Sequence, residues 1–406
     1  MKILQVNCVF STGSTGKIVA AIHEDLLRRG YESVVCYGRG RNVTDPYIYK
    51  TCGEWYSKSC NLLTRFTGLM YGGCRYSTNK LISIIRKEKP DVVHLHCLNG
   101  YFVNVYRLIR WLKENEIKTV LTLHAEFMYT ANCGLALDCE KWRTGCGCCP
   151  RRKQETRSFL LDGTSRSWKA MRLAFEGFEK DCVVTSVSPW LTERAKQSPI
   201  LGRFSHETVL NGVDTEGAFH PGDGTEVRRK LGLGDAPMIL HVTSNFSGER
   251  SHIKGGWYVL ELARRMPESA FVIVGGRKRI KDLPANVYDA GRIEDQRELA
   301  NYYSAADVML LTSRRESFSM VVAESLCCGT PVVGFRAGAP EQIALREYSS
   351  FVEHGNLSRL TAETKEMIRR KRGGAVEHEK ALAMYSGAAM CRRYVEIYER
   401  LCAGRC

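Results

Sequence analysis

The sequence predicts an α/β protein built from two doubly wound parallel domains. Three observations carry that expectation. Short β-rich apolar runs alternate with amphipathic helical stretches, the alternation falls into two series parted by loop-rich sequence, and the chain is 406 residues long. A chain of this length exceeds the range over which one hydrophobic core keeps growing, so two cores are expected.

The first series opens with a strand over 3–9, a helix over 16–29 closed by Gly30, and a strand over 33–37. It resumes with a strand over 91–96, a helix over 105–115 and a strand over 119–124, and a strand over 183–187 closes the half. After the turn-rich Asn211-Gly212-Val213-Asp214 come a strand over 238–243, a helix over 256–265, a strand over 270–274 ending in Gly275-Gly276, and a strand over 308–312. The domains are drawn at 1–205, with a cysteine-rich insertion over 131–153, and at 206–385. The stretch 386–406 is expected as a helix packing back on the first domain. In such sheets ligands bind beyond the carboxyl ends of the strands, here in a cleft between the domains, so the residues just after each strand are the candidates.

Composition narrows the function. Hydrophobic residues at 44% and charged residues at 25% describe a folded globular enzyme rather than a disordered chain. No apolar run approaches the roughly 18 residues a membrane span needs. In the opening MKILQVNCVF, Gln5 and Asn7 interrupt the apolar stretch, so it reads as a first strand and not as a secretory leader. The 17 cysteines are then expected as thiols or metal ligands in the reducing cytoplasm. A net charge of +15 implies an acidic counterpart: nucleic acid, anionic lipid or a phosphorylated substrate.

After the first strand, residues 11–18 read Ser-Thr-Gly-Ser-Thr-Gly-Lys-Ile. An NTP-binding loop of the form G-x-x-x-x-G-K-[ST] fails at both ends, because Ser11 replaces the first glycine and Ile18 the magnesium-binding hydroxyl. What survives is a loop opening a helix, in which the amides of Gly13, Ser14, Thr15 and Gly16 are candidates to meet a phosphate.

The most specific signal spans residues 313–333. Glu316 lies in the loop after a strand, Glu324 on the second turn of a short helix starting near Ser319, and Gly329 with Pro331 stops that helix before the next strand. Two carboxylates thus flank a helix start whose amides suit a diphosphate. Here the sequence resembles glycosyltransferase family 4, marked by Glu, seven residues, Glu, and a following Gly-Thr-Pro-Val-Val. Further segments carry the likeness along the chain: the glycine-rich loop, 90–96, Thr122-Leu123-His124, Asn211-Gly212-Val213-Asp214, Lys254-Gly255 and Ala306-Asp307-Val308.

The resemblance implies a GT-B fold, two Rossmann-like domains facing a central cleft, with retention of anomeric configuration and a UDP- or GDP-sugar donor held mainly by the second domain. By position, Glu316 would contact donor-sugar hydroxyls and Glu324 the ribose. Ser317, Phe318 and Ser319 would lend amides to the diphosphate, and Lys254 would neutralise its developing charge. His124, at a strand end, would stand beside the donor sugar. Many relatives carry an Arg six residues before the Lys; that position is Gly248 here, which leaves Arg250 as the candidate second cation. Many also follow the His with Asp, where this chain has Ala125. No Asp-x-Asp triplet occurs, so transfer without a catalytic metal is expected.

Cys133, Cys139, Cys146, Cys148 and Cys149 cluster within 17 residues. The C-x-x-C of Cys146 and Cys149 is a zinc half-site, with Cys133 and Cys139 as the looser other half, and a structural zinc is the expectation. The segment also resembles the cysteine-rich insertion of family 4 enzymes that build exopolysaccharides of the colanic-acid type. That implies a hexosyltransferase with a lipid-linked glycan acceptor, working at the inner face of the plasma membrane. Between Lys58 and Lys89 the cations Lys58, Arg65, Arg75, Lys80, Arg86, Lys87 and Lys89 face one acid, Glu88, and are interleaved with Leu62, Leu63, Phe66, Leu69, Met70 and Tyr71. This mixture suits peripheral attachment to an anionic membrane, and equally an amphipathic helix pair packed on the first sheet. Two other readings stand beside the transferase: a GT-B sugar-nucleotide epimerase or phosphorylase, and a zinc-containing nucleic-acid-binding protein suggested by Arg151-Arg152-Lys153. The latter lacks any base-reading signature, so no nucleic-acid partner is expected.

Overall fold

The computed structural model describes residues 1–276, 282–370 and 375–404, and only the backbone of 375–377. Backbone contacts divide the chain into two units, Met1–Leu210 joined by the stretch from Met390 onward, and Asn211–Ala389.

The first unit runs β1 (Lys2–Val9), α1 (Gly13–Arg28), β2 (Glu32–Arg39), β3 (Ile48–Lys50), α2 (Glu54–Thr67), α3 (Arg75–Glu88) and β4 (Val92–Leu95). It continues through α4 (Val105–Glu114), β5 (Thr119–Leu123), α5 (Phe127–Thr130), α6 (Thr164–Phe175), β6 (Cys182–Ser186), α7 (Pro189–Lys196) and β7 (Ser205–Thr208). All its strands are parallel, in the order β3-β2-β1-β4-β5-β6-β7. The order reverses between β1 and β4, where Val6 pairs with Leu95, so the loops after these strands emerge side by side.

The second unit runs α8 (Thr225–Leu231), β8 (Met238–Val242), α9 (Gly256–Arg265), β9 (Ala270–Val274), β10 (Val287–Gly291), α10 (Gln296–Ala305), β11 (Val308–Leu311) and α11 (Met320–Cys327). It ends with β12 (Val332–Phe335), α12 (Pro340–Ile343), β13 (Ser349–Val352), α13 (Leu357–Arg369) and α14 (Ala375–Tyr385), and α15 (Gly387–Cys402) follows. Its sheet is also parallel, ordered β10-β9-β8-β11-β12-β13, with the reversal between β8 and β11.

Local chemistry sets several helix starts. Asn104, Ser188, Asp295 and Asn356 each accept a backbone N–H of the helix they cap, and Pro189 occupies the first turn of α7, where its missing N–H costs nothing. Both sheets are buried between helices. In the first unit Ile3, Val92, Val120 and Val183 of the strands meet Ile18, Ile22 and Leu26 of α1, and α15 supplies Met390, Tyr394, Val395 and Tyr398 to the same core. In the second, Ile239, Phe271, Ile273, Leu310 and Val333 pack against Val259 and Leu262 of α9 and Leu360 of α13.

Several elements differ from the sequence expectation. The first half does not close at β6: the polar Ser205–Thr208 adds β7 at the sheet edge, where only one ladder neighbour is needed and no apolar run announces it. The edge strands β3, β10 and β13 were likewise unannounced. The first unit extends to Leu210 rather than 205, because Val209 donates to the Ser186 carbonyl and enters the core. The second extends to Ala389 rather than 385: Tyr385 accepts the Val213 N–H at 2.7 Å and its hydroxyl donates to the Ile343 carbonyl. Finally, α1 begins at Gly13 and not Gly16. With φ +66°, Gly13 makes the turn that a Cβ would resist, and 13–16 become the first helical turn.

Candidate active site

In the second unit, the loop after β8 and the loop after β11 are stitched together. The Arg314 N–H donates to the Ile253 carbonyl at 2.8 Å, and the Thr312 hydroxyl to the Lys254 carbonyl at 3.0 Å. Gly255 sits at φ +66°, and a Cβ there would stand 2.1 Å from the Thr312 carbonyl oxygen, so only glycine allows the two loops to approach. This seam brings Lys254 and Glu316, 62 positions apart, into a 2.6 Å ion pair. Both are partly buried, so the pair is held by its loops rather than by surface attraction alone. Glu316 is also anchored through its backbone, donating to the Ala337 carbonyl and accepting from the Ala339 N–H. Glu341 steadies that partner loop by accepting the N–H groups of Ala337 and Gly338.

Beyond Glu316 the chain passes through Ser317 and the buried Phe318 to Ser319, which caps α11 at φ +85°, a conformation few non-glycine residues adopt. The Ser319 hydroxyl is buried with no hydrogen-bond partner among the described residues. Glu324, one turn into the helix, accepts the Tyr303 hydroxyl at 2.9 Å. Burial, together with the Glu324 charge, holds the Tyr303 phenol well above its usual range, so it remains a donor. Arg250 is exposed, its guanidinium 4.8 Å from the ring centre of Trp257.

In the first unit, His124 lies just past β5, and a chain of hydrogen bonds reaches it from the sheet interior. Gln5 Nε2 donates to the Val19 carbonyl, which fixes Gln5 Oε1 toward His96 Nε2 at 3.2 Å. His96 Nε2 must therefore carry the proton. Burial keeps His96 neutral, so its Nδ1 accepts, and His124 Nε2, 3.2 Å away, donates. Burial also lowers the His124 pKa to about 4, so at neutral pH its Nδ1 is proton-free. His94 is locked beside this chain, with Nδ1 2.6 Å from the Tyr398 hydroxyl and Nε2 2.6 Å from the Thr122 hydroxyl.

The amides of Gly13, Ser14, Thr15 and Gly16 form the first turn of α1, with Asn7 Nδ2 reaching Thr15 at 3.5 Å and Asn7 Oδ1 accepting the Cys97 N–H. A Cβ on Gly16 would stand 3.2–3.3 Å from Val9 and the Phe10–Ser11 backbone, so the turn is tight.

The expected zinc centre is not assembled among the described residues. Cys133, Cys139, Cys146 and Cys149 are free, and among the described residues no group of three or more His, Cys, Asp or Glu stands where it could hold a metal. As placed, these residues do not fit a tetrahedral zinc. Burial holds Cys133 far above its usual range and Cys146 up at about 11, and Cys146 Sγ faces the Thr130 carbonyl. The insertion is ordered instead by a buried tryptophan and an arginine. Trp142 donates to the Cys139 carbonyl and accepts from Trp168, while Arg194 lies 4.9 Å from the Trp142 ring centre and donates to the buried carboxylate of Glu126 at 2.7 Å. The basic triplet that suggested nucleic acid is partly consumed here, since Arg151 pairs with Glu155 and Arg152 donates to the Leu160 carbonyl.

Gln5, His96, Tyr303 and Glu341 were not singled out as site residues. Gln5 left a signal as a polar residue in the apolar run of β1, and His96 as the last residue of the 90–96 segment that carries the resemblance.

Two doubly wound parallel units are the architecture of GT-B structures, and the second carries a paired lysine and glutamate beside a helix start. Residues 245–370 match the family model described as Glycosyl transferases group 1. The putative colanic acid biosynthesis glycosyl transferase WcaC of Escherichia coli is 22% identical, with 99% of this chain and all of that protein covered. The N-acetyl-alpha-D-glucosaminyl L-malate synthase of Bacillus anthracis is 23% identical over 97% of this chain and 95% of its own length. Among solved structures, the sucrose-phosphate synthase of Thermosynechococcus elongatus superposes with a TM-score of 0.68 at 17% identity, covering 99% of each chain. Anabaena HepE, solved in complex with UDP and glucose, gives 0.62 at 14% identity, covering 98% of this chain and 99% of its own. The likeness to a glycosyl transferases group 1 domain thus falls within the second unit, and the chain is similar to a colanic acid biosynthesis transferase along nearly its whole length.

Proposed function

We propose that this chain is a retaining hexosyltransferase of family 4 that moves a sugar from a UDP- or GDP-sugar to a lipid-linked glycan acceptor in surface polysaccharide assembly, at the inner face of the plasma membrane. The carrying observation is the Lys254–Glu316 pair at 2.6 Å, set in the stitched loops before α9 and α11, with the α11-capping Ser319 keeping a buried hydroxyl that finds no hydrogen bond among the described residues. A donor diphosphate at the start of α11 would find that hydroxyl, the first amides of the helix and the Lys254 ammonium together. Glu316 would then take the sugar hydroxyls, and Glu324, oriented by Tyr303, the ribose. HepE, a protein of the same fold, binds UDP and glucose, which supports a nucleotide-sugar donor.

In this reading the bond from the anomeric carbon to the leaving phosphate oxygen breaks as the acceptor oxygen bonds to that carbon on the same face. The acceptor proton passes to the leaving phosphate, whose charge Lys254 stabilises. His124, kept neutral by burial, would stand beside the donor sugar. The chain has no Asp-x-Asp triplet, which supports transfer without a catalytic metal.

The test is a screen of UDP- and GDP-sugars with and without a lipid-linked acceptor, read by product mass spectrometry, in the presence of excess EDTA. A glycosylated lipid of retained configuration is expected. Donor conversion that needs no acceptor would replace this reading with the epimerase or phosphorylase one, and loss of transfer restored by magnesium would remove the metal-free mechanism.

A further inference from the structure

The helices α2 and α3 follow one another and are both basic, but they bury opposite kinds of face. In α3 the apolar residues Leu81, Ile82, Ile84 and Ile85 are buried, as in any helix packed on a sheet. This is also where the sequence reading of the membrane segment needs correcting, because Met70 and Tyr71 are buried too. In α2 the buried residues are the small Ser57, Cys60 and Thr64, while Trp55, Leu62, Leu63 and Phe66 point outward, with Trp55 84% exposed. Their spacing puts them on one side of the helix. Burial of its apolar side does not account for this helix.

A second segment, distant in sequence, completes the surface. Residues 159–161, Phe-Leu-Leu, are exposed, Leu160 to 70%, and are tied to the end of α2. The Phe159 N–H and the Ser158 hydroxyl both donate to the Arg65 carbonyl, and the rings of Phe66 and Phe159 meet edge to face at 5.6 Å. A Cβ on Gly68 would stand 2.5 Å from the Leu161 carbonyl oxygen, and one on Gly163 would stand 2.2 Å from that of Gly68, so the two strips touch only because both positions are glycine. Folded monomers rarely leave a contiguous apolar surface of this kind uncovered.

Charge selects what covers it. From Trp55 through Lys87 the sequence contains no acid at all, and the exposed cations Lys58, on α2, and Arg75, at the start of α3, stand with the apolar face. The Lys58 ammonium lies 5.0 Å from the Trp55 ring centre, its stem lying along apolar surface. The Tyr76 N–H donates to the Tyr56 hydroxyl, which ties the start of α3, and with it Arg75, to α2. The nearest acid on the loop, Asp162, is occupied in accepting from the Cys149 and Thr164 N–H groups. Aromatic and leucine side chains framed by cations of one sign are the makeup of a surface that enters the headgroup layer of an anionic bilayer.

We propose that the outward face of α2 and residues 159–161 form one interfacial surface that seats on an anionic membrane. The proposal rests on the membrane location read above but on no part of the transfer chemistry. The experiment uses the full chain and vesicles of phosphatidylcholine with and without phosphatidylglycerol, at low and high salt, read by co-sedimentation. The variants are Leu63→Gln with Phe66→Gln and Leu160→Gln, and separately Lys58→Glu with Arg75→Glu, each checked by circular dichroism. Partitioning onto phosphatidylglycerol vesicles that weakens roughly tenfold or more in either variant, and falls at high salt, is the expected result. Equal binding by wild type and both variants, or binding indifferent to phosphatidylglycerol, would overturn it. So would self-association in the absence of lipid that the apolar variant abolishes, since the surface would then be a dimer face. Sedimentation needs no turnover, so a chain that docks without transferring sugar refutes the transferase reading alone, and one that transfers to a water-soluble acceptor without docking refutes this proposal alone.

Discussion

The two units place their polar centres in opposite settings. In the second, Lys254 and Glu316 are charged, partly exposed and brought together by two loops stitched through their backbones. In the first, Gln5, His96 and His124 form a neutral chain that starts inside the sheet, and burial holds both histidines below their ordinary pKa. The difference teaches a division of labour. A charged pair at a strand end can trade partners with an arriving ligand at little desolvation cost, whereas a buried neutral relay cannot be rearranged and serves to hold one proton arrangement.

The comparison is broken most directly at the charged centre. Glu316→Gln and Lys254→Ala should each lower turnover by more than about tenfold with the fold intact, since removing one transition-state contact of this kind costs roughly 2.7–4 kcal/mol. Steady-state kinetics alongside thermal melting checks this, and unchanged rates in both variants would leave the pair without a catalytic role.

A smaller effect is expected at the relay. Gln5→Met keeps the side-chain volume but removes the acceptor that sets His96. A single hydrogen bond is worth about 0.5–1.5 kcal/mol, so kcat should fall roughly two- to tenfold with KM little changed. Nitrogen-15 NMR of histidine-labelled protein should find His124 protonated at Nε2 in the wild type and lose that preference in the variant. An unaltered His124 signal would mean that Gln5 does not set the tautomer.

A further effect is on stability. His94, His96 and His124 in the first unit all titrate lower when folded than the usual 6.5, because burial penalises their charged forms, and His241 in the second unit is lowered to about 4 for the same reason. The unfolded chain therefore binds more protons as pH drops below about 6.5, and stability present above that pH is lost toward pH 4, by at most about 1.4 kcal/mol per pH unit for each histidine. Hydrogen exchange should show β4 and β5 losing protection on acidification before β8 and β11. Equal loss in both sheets would erase the contrast between the units.

Much of this was legible in the sequence because it depends on local pattern. The β-rich runs that became β1, β8, β9 and β11 are buried on both faces and read as near-continuous apolar stretches, and α9 matched to the residue. The carboxylates flanking α11 were legible because a strand, a loop and a glycine-stopped helix fix their spacing. What escaped depends on contacts between distant positions. The polar edge strand Ser205–Thr208 is held by β6 and not by its own composition. The cysteine spacing allowed a metal site, but the fold of that segment was decided by Arg194, more than 40 positions downstream of Cys149. Periodicity announced α2 as amphipathic without revealing that its apolar side faces out, because which side is buried depends on what the neighbouring elements offer.

The last helix gives the chain an order of assembly. All of the second unit, Asn211–Ala389, is continuous in sequence, so it can complete its core as soon as the ribosome has released it. The first unit cannot, although its strands are made earliest. His94 and Thr122 find the Tyr398 and Tyr394 hydroxyls, and the sheet finds Met390 and Val395, only after nearly the whole chain has been synthesised. During translation the half made first is therefore the half finished last. A nascent chain stalled before residue 390 would carry a folded second unit beside a first unit whose buried hydrogen-bonding groups still lack their partners, and a ribosome-bound chain of that length should be open to protease in β4 and β5 while β8 and β11 resist.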